Sequence, residues 1–401
     1  MQKIEKLLSA KLSGKDKPNI SIFMQILIYL NLYIYIYDGF WDIPNRKVLG
    51  VSLALILLFV TIWKLRNDIV WIDLIIFSLF LGILFYARFV SQCGRTSLLN
   101  NLPLPMIGFC LGVSVKYLRW PKWSFYCYSI FALLPFLYTF FVVKADMEFF
   151  DQYIQMNRNS IPLLLILTYS LLAIVEVMNN RKMMPLIPLA IIVVCSFYSK
   201  SRAGLLLSIA LLILIVVYDG WQFIGKWNFK ELTDKMRIIL MLCVAGIGCL
   251  LVAIIIYLFA NSRFATQGLD GSLRVEIVKE LVQEVTWKKA LIGFIPDLFS
   301  LHSRIDASFI MAFLYLGIMS IFFIIAIIVA LVIFWNHSFI LFSILLIHTV
   351  YGFVEYLSPI EIGDIVLIPL LLIAFSLHKP QAWLSTHKPI SLVRLVCIHN
   401  K

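Results

Sequence analysis

Apolar runs long enough to cross a bilayer recur along almost the whole of this 401-residue chain, and nothing constrains its fold more. They fall near 21–37, 48–63, 69–87, 102–116, 124–143, 161–178, 184–199, 203–218, 237–260, 307–334, 337–354 and 360–377. A hydrocarbon core of about 30 Å is spanned by roughly 20 apolar residues in a helix. No water there can satisfy a bare N–H or C=O, so such runs must be helical. The pattern predicts an all-α polytopic membrane protein with about 12 transmembrane helices. Hydrophobic residues make up 62% of the chain and charged ones 14%, against about 25% charged in soluble domains. Tyr37, Trp41, Trp63, Trp71, Trp120, Trp123 and Trp335 stand at run ends, the depth that Tyr and Trp favour.

Basic residues orient the runs. Twelve spans place both termini on one side, and the positive-inside rule makes that side the cytoplasm. Of the 34 Lys and Arg, 20 then fall inside and 14 outside. The first twenty residues carry five Lys and no long apolar run, which predicts a cytoplasmic basic tail over 1–20 and not a signal peptide. Spans 1–9 follow over 21–260, an outer loop over 261–306, spans 10–12 over 307–377, and a second cytoplasmic tail over 378–401. This topology accounts for the net charge of +12, and no basic cluster interleaved with exposed aromatics points to nucleic acid. The seven Cys are scattered, without the spacing of a metal site or a disulfide framework.

Two connections are long. The inner one, 219–236, reads as an amphipathic connector. The outer one, 261–306, holds SLRVEIVKELVQEV (272–285), with Leu273, Ile277, Leu281 and Val285 at helical spacing. Asp270-Gly271-Ser272 supplies a cap and turn before it, and ALIGFIP a Gly/Pro turn after it.

Charge at a membrane face is costly and calls for a reason. Ser199-Lys-Ser-Arg-Ala-Gly204 joins two runs with almost no loop, so Lys200 and Arg202 sit at the outer face. They are either snorkelling interface cations or an anion site, where a guanidinium can grip a phosphate in bidentate fashion. Arg274, near the start of the loop helix, lies either on a solvated face or beside N–H groups that attract anions. In HSRID (302–306), Asp306 is an N-cap, a general base toward a sugar hydroxyl, or both; His302 is a rival base and Arg304 a further cation. In MNRNS (156–160), Asn159 or Ser160 can cap the next helix, and Arg158 can contact an anion. No P-loop, HExxH or GxSxG motif is present, so no metal or cofactor is expected.

The order of these pieces resembles the O-antigen polymerase and ligase superfamily of bacterial glycan-assembly enzymes. The likeness rests on Ser201-Arg202-Ala203-Gly204 opening a span, then Gly271-Ser272-Leu273-Arg274 in a long outer loop. Leu291-Ile292-Gly293-Phe294 follows, and then Asp306 eleven residues before Gly317. It covers roughly 199–334. The resemblance implies a C-type membrane glycosyltransferase of the inner membrane, metal-independent and facing the periplasm. Its substrate would be an undecaprenyl-diphosphate-linked oligosaccharide. Arg202 and Arg274 match arginines that hold the diphosphate, and Lys200, Arg158 and Arg304 are further candidates for that contact. Ligases of the family carry His in an H-N pattern where this chain has Asp306, which favours the repeat-unit polymerase. The alternatives are an O-antigen ligase acting on lipid A-core, and a lipid-linked oligosaccharide flippase or transporter. A chain-length regulator and a flippase are the implied protein partners.

Overall fold

In the computed structural model, the described residues are 17–36, 46–90, 98–144, 159–181, 183–226, 285–293, 312–314, 316–352 and 362–377. The regular structure among them is helical, apart from one isolated bridge between Asn19 and Arg119. The main helices are α1 (Ile22–Ile36), α2 (Arg46–Leu65), α3 (Trp71–Phe89), α4 (Pro103–Tyr117), α5 (Ser124–Leu137) and α6 (Ser160–Met178). They continue with α7 (Leu186–Tyr198), α8 (Arg202–Lys226), α9 (Trp287–Ile292), α10 (Ser320–His337), α11 (Phe339–Gly352) and α12 (Asp364–Leu377).

Among the described residues, six stretches are long and apolar enough to cross a membrane: Lys47–Leu65, Trp71–Phe89, Ser124–Val142, Ser160–Met178, Arg202–Gly220 and Gly317–His337. Four shorter apolar helices are α1, α7, α11 and α12. Large apolar side chains such as Phe59, Trp63 and Phe322 stay about two-thirds exposed. A water-soluble surface rarely carries such faces in quantity, whereas lipid covers them without cost. The chain is a polytopic helical membrane protein. The expected run 237–260, residues 272–284 of the expected loop helix and the tails 1–16 and 378–401 lie outside the described residues, and Val285 itself is not helical.

Two boundaries depart from the sequence expectation. α8 continues to Lys226, through nearly half of the stretch read as a connector. The run 307–334 is interrupted by a 3-10 turn, Gly317–Met319, with Gly317 at φ +55°. Hydropathy is uniform across that break, so it left no trace in the apolar pattern. The turn is imposed by packing: a Cβ on Gly317 would lie 2.5 Å from the Leu291 carbonyl oxygen at the end of α9. ALIGFIP is likewise helical as far as Ile292, and Gly293 at φ +89° ends α9. Tyr86 donates a hydrogen bond to the Ile292 carbonyl, 3.0 Å.

The chain divides into two compact units, one of 1–132, 170–180 and 274–401, the other of 133–169 and 181–273. In the first, α4 and α12 form the centre, with 103–115 and 364–374 buried throughout. Gly108 and Gly112 of α4 face α12. A Cβ on Gly108 would stand 2.7 Å from the Asp364 carbonyl oxygen, and one on Gly112 2.9 Å from Pro369 Cα. This small-xxx-small spacing lets two backbones touch, which is how helices gain dispersion energy in a solvent as apolar as themselves. α12 also packs on α3, α10 and α11.

In the second unit, α7 packs on α8 through Val193, Leu205 and Ile209. Pro135 in α5 precedes a π turn over Tyr138–Val142. The Thr139 hydroxyl donates to the Pro135 carbonyl at 2.7 Å, which helps satisfy polar groups around the break in hydrocarbon.

Gly112→Leu is expected to wedge α4 from α12 and to cost about 1–3 kcal/mol, the range of overpacked cores. Gly82→Ala, at a glycine of α3 with nothing within 4 Å of the added carbon, is expected to be neutral or mildly stabilising. Thermal unfolding of the purified variants in detergent separates the two outcomes.

Candidate functional site

The turn between α7 and α8 brings Lys200 and Arg202 to the end of the second unit. α7 ends at Tyr198 with a tight C-terminal arrangement. The Ser199 N–H bonds to the Cys195 carbonyl at 2.9 Å, the Lys200 N–H to the Phe197 carbonyl at 3.1 Å, and the Ser199 hydroxyl to the Ser196 carbonyl at 2.8 Å. Lys200 adopts φ +55°, the left-handed position just past a helix end that glycine normally fills. Its side chain is exposed.

Ser201 then caps α8. It is 2% exposed, and its hydroxyl oxygen accepts from the Gly204 N–H at 3.2 Å. The same hydroxyl donates to Asn159 Oδ1 at 3.0 Å. Asn159 directly precedes α6, and its carbonyl accepts from the Leu163 N–H at 3.4 Å. A Cβ on Gly204 would fall 2.3 Å from Pro162 Cγ, so the first turns of α6 and α8 are in direct contact. Both helices present their N-terminal ends here. Each such end carries roughly half a positive charge and several N–H groups without intrahelical partners. Arg202, half-buried, is the first residue of α8, where a cation opposes the helix dipole.

The arrangement therefore gathers four sources of positive potential: two helix N-termini, Lys200 and Arg202. Chemically it suits an anion with several oxygens, a phosphate or diphosphate, bound by a bidentate guanidinium and backbone N–H groups. Two of the sequence motifs meet here, since the residues after Arg158 lie against the Ser201–Gly204 turn. That proximity was not legible, because 42 residues of chain separate Asn159 from Ser201. Gly204, expected to allow a close approach, makes one to Pro162. Arg158, Arg274, His302, Arg304 and Asp306 lie outside the described residues.

A second polar constellation lies in the first unit. Asp73, in the first turn of α3, is fully buried. Its carboxylate accepts from Lys116 Nζ at 2.6 Å, from the Tyr117 hydroxyl at 2.7 Å and from the Val70 N–H at 3.2 Å. The acid sits at a helix N-terminus and the lysine at a C-terminus, so both dipoles favour the pair. Lys17 is anchored beside it, where the chain pairs with Arg119: Arg119 N–H to the Pro18 carbonyl at 2.9 Å, and Ile20 N–H to the Arg119 carbonyl at 3.1 Å. Lys17 Nζ is buried without a hydrogen-bond partner among the described residues. Burial, and then the Lys116 charge, push its ammonium down to about 8. This cluster fastens the segment around Pro18 and α3 to the end of α4, with Asp73 accepting three hydrogen bonds.

No family model, curated protein or solved structure matches this chain.

Two stability outcomes follow from the turn. Lys200→Gly removes a left-handed lysine and is expected to raise stability by about 1 kcal/mol. Ser201→Ala removes the cap and the tie to Asn159, and is expected to lower stability by about 1 kcal/mol. Denaturant or thermal unfolding reads both. A third outcome concerns pH. The folded chain holds the Lys17 proton less tightly than the unfolded one, whose lysine titrates near 10.4. The cost of charged Lys17 is borne in full below about pH 8 and is relieved between about 8 and 10.5. Comparing Lys17→Met with the parent at pH 7 and pH 9.5 is expected to show a stabilising gain at the lower pH that shrinks at the higher.

Proposed function

We propose that this chain is an O-antigen or related oligosaccharide repeat-unit polymerase, a C-type glycosyltransferase of the bacterial inner membrane. In this reading it has 12 spans, both termini are cytoplasmic, and the active site faces the periplasm. The supporting observation is the α7–α8 turn. Lys200 occupies a glycine position, at a cost of about 1–2 kcal/mol for a non-glycine residue. Arg202 opposes a helix dipole, and the N-terminus of α6 adds a second positive end. A bound diphosphate would offset this accumulation of positive potential. Local strain of this sort is characteristic of functional sites.

The chemistry follows from that anion. The donor is a glycan joined through its anomeric carbon to undecaprenyl diphosphate. The acceptor is a hydroxyl on the terminal sugar of the next lipid-linked unit. The acceptor oxygen attacks the anomeric carbon and the new glycosidic bond forms there. The bond from that carbon to the diphosphate oxygen breaks, and its electron pair leaves on undecaprenyl diphosphate. The hydroxyl proton passes to Asp306, or to His302. Arg202, Lys200 and Arg274, with Arg158 and Arg304 as further contacts, stabilise the charge growing on the leaving group. Preorganised donors of this kind contribute about 3–4 kcal/mol each. No metal or cofactor is required, because the sugar arrives activated. A chain-length regulator and a flippase would be the partners of such an enzyme.

Arg202→Ala, at normal membrane abundance, is expected to slow polymerisation about 10²–10³-fold, so that surface lipid carries single repeat units in place of long chains. Lys200→Gly is expected to lose chain length while gaining stability, which separates the charge from the fold. A ligase defect would leave no repeat units on the lipid at all. Long chains of ordinary length from an Arg202→Ala, Arg274→Ala double variant would overturn the proposal, as would chemical labelling of Arg202→Cys from the cytoplasmic side alone.

A further inference from the structure

Where α2 ends, Phe59, Val60, Trp63, Lys64, Arg66 and Asn67 line an open groove of about 550 Å³. That volume lies within the roughly 300–1,000 Å³ of small-ligand clefts. Its lining changes character along its length. Phe59 and Trp63, one helical turn apart, stack with ring centroids 6.2 Å apart, and both remain about two-thirds exposed. Next to them come Lys64 and Arg66, both exposed, and neither is ion-paired among the described residues. The Arg66 guanidinium lies 5.4 Å over the Trp63 ring.

These features fix a depth. Tryptophan rings favour the headgroup level, and α2 is a candidate membrane span. The cation–π contact holds Arg66 at that same level, and Lys64 stands in the last turn of the helix. The carboxylates nearby do not line the groove: Asp68 follows it in the chain, and Asp73 is taken by Lys116 and Tyr117. The α2 C-terminus carries partial negative charge, which Lys64 opposes, so the second cation is in excess. A site that is apolar and aromatic toward the span and cationic at headgroup depth complements one kind of molecule. A free phosphate would meet the cations and leave the Phe59–Trp63 face bare. A zwitterionic lipid would cover that face and return little to two cations.

We propose that this groove binds one anionic glycerophospholipid of the surrounding leaflet, its phosphate on Lys64 and Arg66 and an acyl chain along Phe59, Val60 and Trp63. The site is independent of the glycan chemistry assigned to the α7–α8 turn. The full-length protein, purified in detergent, is incubated with dioleoyl phosphatidylglycerol, dioleoyl phosphatidylcholine or inorganic phosphate. Bound lipid is counted by native mass spectrometry and the unfolding midpoint is recorded. Phosphatidylglycerol is expected to be retained well above phosphatidylcholine and to raise the midpoint more than phosphate does. Lys64→Gln with Arg66→Gln is expected to weaken phosphatidylglycerol retention about 30-fold, at roughly tenfold or less per charge. The single variants give intermediate losses and serve where the double variant is poorly produced. Phe59→Ala is expected to weaken both lipids alike, and Lys47→Gln, at the far end of α2, to change neither. Equal retention of the two lipids, undiminished retention by the charge variants, or equal protection by phosphate alone would each overturn the lipid assignment.

Discussion

Helices in a bilayer have no hydrophobic reason to associate, because lipid tails are as apolar as leucine. What joins them must come from close fit and from polar ties. The contact of α4 with α12 supplies the first. Gly108 and Gly112 remove the two side chains that would hold the backbones apart, and α12 is then buried throughout 364–374. The remaining helices of that unit can afford exposed apolar faces because lipid, not protein, covers them. The polar ties sit at helix ends, where unpartnered N–H and C=O groups are found and where charge can reach headgroups or water.

Two such ends carry charge in opposite ways. At Asp73 each group improves its surroundings: an acid caps an N-terminus, a lysine lies at a C-terminus, and a tyrosine donates to the same carboxylate. Removing one partner there would strand a buried charge, typically at 3–5 kcal/mol, so the cluster reads as a fastening. At the α7–α8 turn each group worsens its surroundings: a lysine stands where glycine is favoured, and an arginine faces the dipole. Ser201 and Asn159 stabilise the backbone of the turn. The first constellation is thus a fastening, and the second is the one to which the proposed reading assigns a ligand.

The parts of this arrangement that follow from short-range pattern were legible in the sequence. Apolar runs marked the helices, because burial in hydrocarbon demands composition before anything else. The cationic turn at 199–204 was visible as charge with no loop to carry it. The 3-10 break at Gly317 was not, since it depends on one backbone angle and on Leu291, in a separate segment of chain. The extension of α8 to Lys226 was missed because Asp219, Gly220 and Gly225 suggested a loop, although no proline interrupts the segment. Asp219 itself faces back into the fold and accepts from the Met184 N–H at 3.2 Å. The pairing of Ser201 with Asn159 needed the fold, because hydropathy and spacing say nothing about which helix starts are neighbours. Of the expected site residues, Lys200 and Arg202 are the two that the described structure places.

The position of the cations bears on the kind of substrate as much as its charge does. A transporter gathers polar groups at the bilayer midplane, on interrupted helices, so that cargo can pass. Lys200 and Arg202 instead stand at helix termini, beyond the apolar length of α7 and before that of α8. A ligand held there need not enter the hydrocarbon. A polyprenyl diphosphate meets that condition: its chain stays in the leaflet, its phosphates lie at headgroup depth, and its sugars remain in water. An anion at that depth is also partly dehydrated, so each guanidinium contact is stronger than it would be in bulk solvent. In the proposed reading the reaction is then an interfacial transfer, with the leaving group anchored and the acceptor approaching from the aqueous side.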